Sequence, residues 1–158
     1  MKHKRSANLL RKLVSAAVML VAFAFPAVGS DVGKSVGSDL LPVFARAHQG
    51  GPLRAVAIGG SITQAGQGWV GHWLSEQFPQ ATVTMHNAGM SATGSLLGLF
   101  RLDRDVISAQ PDLVFIEYAV NDGSGKDEDV IRWLESIVVR LKSLPHPPAI
   151  VFLEAAAK

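Results

Sequence analysis

From residue 40 onward, short β-branched apolar runs alternate with longer stretches in which apolar residues recur every three to four positions. Runs of the first kind fall at 54–58, 81–86, 112–118 and 149–153, bounded by glycine, proline or asparagine as strands commonly are. The run at 112–118 follows Pro111 and is apolar at nearly every position, the composition of a strand covered on both faces. Helical spacing predicts helices over 69–78, 96–109 and 127–144. The last is the clearest. Val130, Leu134, Ile137, Val138 and Leu141 share one face, while Asp127, Glu128 and Asp129 suit the positive end of the helix dipole and Arg140 and Lys142 its negative end. Strands and helices in alternation imply a parallel sheet with helices against its faces. Trp69 and Trp73, four residues apart, are expected to pack one helix on that sheet, and Trp133 another.

The first thirty residues break the rhythm. Lys2, Lys4, Arg5, Arg11 and Lys12 precede an apolar run at 13–28 that is interrupted only by Ser15 and Pro26. This is the order of a secretory signal, and the run is short for a membrane span. Ala27 and Gly29 offer the small residues a signal peptidase requires. We therefore expect a signal peptide at 1–29, a small polar linker at 30–39 and one folded domain at 40–158, the mature protein being secreted or periplasmic without stable membrane association. The leader carries five of the fifteen basic residues and none of the thirteen acidic ones, so the remainder has a net charge of −3 against +2 for the whole chain. The basic total belongs to the leader and gives no support to nucleic-acid binding. Cysteine is absent, which is compatible with export without arguing for it.

In an open parallel sheet the functional loops lie at the carboxyl ends of the strands. After the first strand comes Gly59-Gly60-Ser61-Ile62-Thr63, where two glycines permit a sharp reversal and present a serine at a helix start, as nucleophile or as plain N-cap. After the second comes a small-residue loop, 87–95, whose amides can approach an anion closely but which also reads as an ordinary flexible loop. After the third comes Ala119-Val120-Asn121-Asp122-Gly123, an amide donor that is also good turn sequence. Each signal is weak alone. Together they offer one hydroxyl and several hydrogen-bond donors at one edge, the parts needed for acyl transfer.

In this order GGSIT, NAGMSATGS and VND resemble the first three sequence blocks of the SGNH/GDSL hydrolases, over roughly 65 residues. The resemblance implies a three-layer α/β/α, flavodoxin-like fold with a parallel sheet in the order 2-1-3-4, truncated before the fifth strand. It implies that Ser61 attacks an ester carbonyl while its own N–H donates to the oxyanion, and that Asn121 supplies a side-chain donor. The second block usually places a glycine whose amide completes the oxyanion hole; register from Asn87 puts Ala92 there, with Gly94 as the alternative. Gly60 stands where aspartate is common. The implied substrate is a carboxylic ester, including acetyl groups on carbohydrate, with no cofactor.

The same resemblance calls for an Asp-x-x-His block that supplies the base, and no aspartate in the chain stands three residues before a histidine. Without an imidazole Ser61 is an ordinary alcohol, at a loss of roughly 10⁴-fold or more in comparable triads. His146 precedes the fourth strand and so belongs to the opposite edge of the sheet. His86 ends the second strand and is better placed, while His72 falls on a helix surface. No histidine pair has metal-site spacing, so no metal is expected. Glu117, inside an apolar strand, is expected to be paired structurally with Arg101 or Arg104. Two other functions remain open at this point: a non-catalytic module that binds glycans or anions, and a nucleotide-binding domain, the latter opposed by the lack of G-x-G-x-x-G and of a P-loop lysine. A sheet that stops at 150–153 would also leave an apolar edge uncovered.

Overall fold

The computed structural model describes residues 39–66 and 69–154, so the expected signal peptide, most of the linker and the side chain of Trp69 lie outside the described residues. In chain order the elements are α1 (Leu40–His48), β1 (Leu53–Gly59), α2 (Ser61–Ala65), α3 (Trp69–Gln77), β2 (Val83–Gly89), α4 (Ser95–Asp105), a 3₁₀ turn (Ile107–Ala109), β3 (Leu113–Glu117), α5 (Ala119–Asp122), α6 (Asp127–Lys142) and β4 (Ala149–Phe152). The strands form one parallel sheet in the order β2-β1-β3-β4, as the resemblance implies. Gly59 is level with Gly89 on one side and Glu117 on the other, so three strands end at one height.

Strand side chains alternate between faces, and the alternation sorts the core into two layers. Leu53, Ala55, Ala57, Leu113, Phe115 and Ala149 face α1 and α3. Val56, Ile58, Val114, Ile116 and Tyr118 face α4 and α6, where they meet Leu102, Ile137 and Leu141. Trp73 packs at the edge of the first layer, as expected, and Phe44 meets Phe78 there with ring centroids 5.1 Å apart. No described helix is long and apolar enough to cross a membrane.

Some boundaries differ from expectation. The strand expected at 81–86 runs from Val83 to Gly89, because Asn87-Ala88-Gly89 continues the ladder with β1 instead of turning. The helix expected to reach Ala109 ends at Asp105. Val106 leaves helical geometry with its side chain fully buried, and a single 3₁₀ turn leads through left-handed Gln110 (φ 48°) to Pro111, which bars a helical conformation before it. Asn121-Asp122-Gly123, good turn sequence, instead closes one helical turn over Ala119–Asp122.

Candidate active site

β1 ends at Gly59, the chain bends at Gly60 (φ −84°, ψ −146°), and α2 begins at Ser61, which is exposed. As the first residue of a helix, Ser61 has an N–H with no acceptor inside that helix. The bend is held from both neighbours: Gly60 N–H donates to Glu117 O at 3.2 Å and Met90 N–H to Gly59 O at 3.0 Å. Glycine is required at Gly59, and at Gly60 a side chain would have to displace the Asn121 carboxamide. A Cβ at Gly59 would overlap Thr63 Oγ1 and the Glu117 carbonyl, and one at Gly60 would overlap Asn121 Oδ1 and lie 3.3 Å from Thr93 O. The loops after β1, β2 and β3 are thus in van der Waals contact around Gly60.

The loop after β2 is not an ordinary flexible one. Asn87 Nδ2 donates to Thr63 O at 2.9 Å and its Oδ1 accepts from Gly89 N–H at 2.8 Å, fastening the end of β2 to α2. Ser91 donates both its N–H (2.8 Å) and its hydroxyl to Gln64 Oε1, and Thr93 Oγ1 donates to Met90 O at 2.7 Å. Between these anchors Ala92 is exposed and left-handed at φ 60°, a conformation that favours glycine. Gly94 is in extended backbone at the start of α4, and a Cβ there would overlap Asp122 Oδ1, which accepts from Ser95 N–H at 3.0 Å. Asp122 therefore occupies the space beside Gly94. The special backbone geometry belongs to Ala92.

Asn121 is half-buried on α5, and neither its carboxamide nor Ser61 Oγ hydrogen-bonds to another described residue. Its carbonyl oxygen, turned to Gly60, leaves the Nδ2 donor unspent. Sequence reading gave Asp122 and Thr93 no role, although Asp122 had a signal as the neighbour of Asn121, and it named Arg101 only as a partner for Glu117.

Glu117 departs from expectation. It is 4% exposed, its Oε2 accepts from Thr63 Oγ1 at 3.2 Å, and its Oε1 has no partner; neither Arg101 nor Arg104 reaches it. Alternation is the reason. Glu117 shares the face of Leu113 and Phe115, whereas α4 with both arginines packs on the opposite face. Arg101 and Arg104 pair with Asp105 at 2.8 and 2.5 Å. With Thr63, Ile62, Ala57 and Phe115, Glu117 lines a cavity of about 200 Å³ beneath α2.

The described histidines lie apart from Ser61's loop. His146 is exposed in the segment before β4, at the amino edge as expected; His86 is exposed on β2, and His72 is exposed with Glu76 Oε1 at 3.1 Å from its Nε2. His48 stacks edge-on against Phe78.

No family model matches the chain, and no curated protein does. Solved structures do. A two-domain esterase active on acetylated mannans, co-crystallised with mannopentaose, is 32% identical over 73% of this chain with a TM-score of 0.68. This chain spans 33% of that protein's length. Axe2, an acetylxylan esterase from Geobacillus stearothermophilus solved as a catalytic mutant, is 22% identical over 63% of this chain and 58% of its own, TM-score 0.52. A lipolytic protein of the G-D-S-L family from Desulfitobacterium hafniense is 23% identical over 61% of this chain and 57% of its own, TM-score 0.50. At these identities the last two show likeness of fold.

Proposed function

The chain is related to the SGNH/GDSL hydrolases, and from that premise we propose that it is the nucleophile-bearing, N-terminal part of a secreted serine esterase acting on carboxylic esters, acetyl groups on carbohydrate among them. The observation that carries the reading is the meeting of Gly60, Thr93 and Asn121 at one rim, with Ala92 held left-handed beside them. In this reading Ser61 Oγ forms the bond to the acyl carbon. The negative charge that develops on the carbonyl oxygen is taken by the N–H groups of Ser61 and Ala92 and by Asn121 Nδ2. The alcohol leaves with a proton, and water then releases the acyl group from Ser61.

Preorganised donors of this kind are worth about 10²–10³ in rate each. They do not remove the proton from Ser61, and these residues contain no Asp-x-x-His block to do so. The chain on its own is therefore expected to turn over esters at a small fraction of the rate it would reach with an imidazole supplied. The test is hydrolysis of p-nitrophenyl acetate by this chain and by a form extended with a segment bearing Asp-x-x-His. Turnover that appears on extension and disappears in Ser61→Ala supports the reading; extension without Ser61-dependent turnover overturns it.

The second reading is a non-catalytic module that binds acylated glycans or anions through the same donors at the rim. It predicts that acetylated mannooligosaccharides bind this chain equally well with Ser61 replaced by alanine, and that extension adds no hydrolysis.

A further inference from the structure

We propose that Arg101 is the positioning residue of this site, a buried clamp that fixes the spacing of the three strand ends from which Ser61, Ala92 and Asn121 are hung. The inference takes its functional meaning from the esterase reading, while the clamp itself stands on geometry. Arg101 is 6% exposed. Its Nη1 donates to Ala88 O on β2 at 2.6 Å and to Asp105 Oδ2 at 2.8 Å; its Nη2 donates to Gly59 O on β1 at 3.2 Å and to Tyr118 Oη, just past β3, at 3.2 Å. Those contacts fall two residues before Ser61, four before Ala92 and three before Asn121. One planar group thus touches the root of every site loop.

A buried cation needs a counter-charge, and Asp105 one helical turn away supplies it. That pair alone would not require main-chain contacts. The guanidinium instead gives Ala88 and Gly59 a donor each, at carbonyls of adjacent strands where the loops diverge. Its planar fork sets distance and angle together, which a lysine, as a point charge on a flexible stem, does not. The third contact is built for: Tyr118 Oη reaches Arg101 across Gly98, where a Cβ would overlap the phenol oxygen. Burial pushes the Tyr118 phenol above its ordinary range, so it stays a neutral hydroxyl and does not compete for the cation as an anion. Asp122 N–H donates to Tyr118 O at 2.9 Å, carrying the fixed position into α5. The opposite edge of the sheet has a separate tie: Asp112 accepts from Arg54 N–H at 2.9 Å and pairs with Arg46 at 2.7 Å.

Amide hydrogen exchange on the full chain, with Arg101→Lys, Arg101→Leu and Gly98→Ala, tests the clamp. Gly98→Ala dislodges the Tyr118 hydroxyl while leaving Arg101 in place, and with Arg101→Lys it carries the test if Arg101→Leu fails to fold. The amides of Gly60 and Met90, bonded at the carboxyl edge, are expected to exchange about tenfold faster in each variant, while those of Leu53 and Asp112 at the amino edge change less than about twofold. Equal acceleration at both edges would make Arg101 a general stabiliser and overturn the inference. In the form with Ser61-dependent turnover, Arg101→Lys is expected to lower kcat about tenfold with KM within about twofold, and Arg101→Leu to lower kcat further. Localised exchange with unchanged kcat also overturns the positioning role. If no form shows Ser61-dependent turnover, the esterase reading falls by itself, and the exchange pattern alone decides whether the clamp exists.

Discussion

Ala92 carries a left-handed backbone at φ 60°, which costs an L-residue about 1–2 kcal/mol and glycine little. Ala92→Gly removes that cost and gives back about 0.4–1 kcal/mol in unfolded-chain entropy. The net expectation is a gain of about 0.5 kcal/mol, read as a higher urea midpoint with unchanged slope; a lower midpoint would mean that the left-handed geometry is not what the folded protein holds. Asn121 raises a different question, because its carboxamide is wedged against Gly60. In the form with Ser61-dependent turnover, Asn121→Ala is expected to lower kcat about 10²-fold, the loss of one oxyanion donor. Gly60→Ala displaces the same carboxamide from the other side, so it should cost about as much, and the double variant little more than either single one. Additive losses in that cycle would separate the two residues.

The element most exposed to single changes is α4, because both of its ends are held by charge. At its N-terminus Asp122 Oδ1 accepts from Ser95 N–H, filling the place of a capping side chain that Gly94 cannot offer. Asp122→Ala is expected to cost about 1 kcal/mol, within the range of lost helix caps, and to disturb Asn121 next to it, a pairing of effects that chemical denaturation and kcat would read separately. At the other end Asp105 has its pKa lowered to about 2, first by the hydrogen bond from Arg104, against the opposing effect of burial, and then by Arg101. The folded state therefore holds its proton less tightly than the unfolded chain, whose value is near 3.8. Stability from this group is fully present above about pH 4 and is lost as pH falls through 4 toward 2. Asp105→Asn should flatten part of that decline in thermal melts, and the part that remains belongs in the first place to Asp112, which Arg54 and Arg46 hold below the usual range despite its burial. The amphipathic rhythm made α6 readable to within two residues at its C-terminus. It could not place the end of α4, because that end is decided by buried Val106 and by Pro111 five residues on, a tertiary and a local constraint acting together. Nor did it distinguish a turn from one helical turn at 119–122, where propensities for the two coincide.

Across the whole sheet, the strands and the edge that bears the site loops were legible in composition, with Gly59 and Gly89 closing β1 and β2, while strand order came from the family resemblance alone. Partners of buried charges were not legible. Glu117 and Arg101 lie within reach of one another along the sequence and on opposite faces in space, and only the parity of β3 tells them apart. Parity also decides the behaviour of β4. That strand pairs with β3 alone among the described strands, with Ala149 and Leu153 N–H groups donating to Asp112 O and Ile116 O. By alternation the N–H groups of Ile150 and Phe152 point away from the sheet, and Phe152 is 42% exposed. An open, uncharged strand edge with an exposed aromatic is a template for pairing with a second copy of itself. The 158-residue chain is therefore expected to self-associate with rising concentration, seen as a growing weight-average mass in light scattering. Phe152→Lys places a charge on that edge without touching the β3 ladder, and should hold the mass at the monomer value while leaving the thermal midpoint within about 1–2 °C, as a surface substitution does. Self-association that persists unchanged in Phe152→Lys would move the contact off β4, toward the exposed Phe100 and Val139 on α4 and α6.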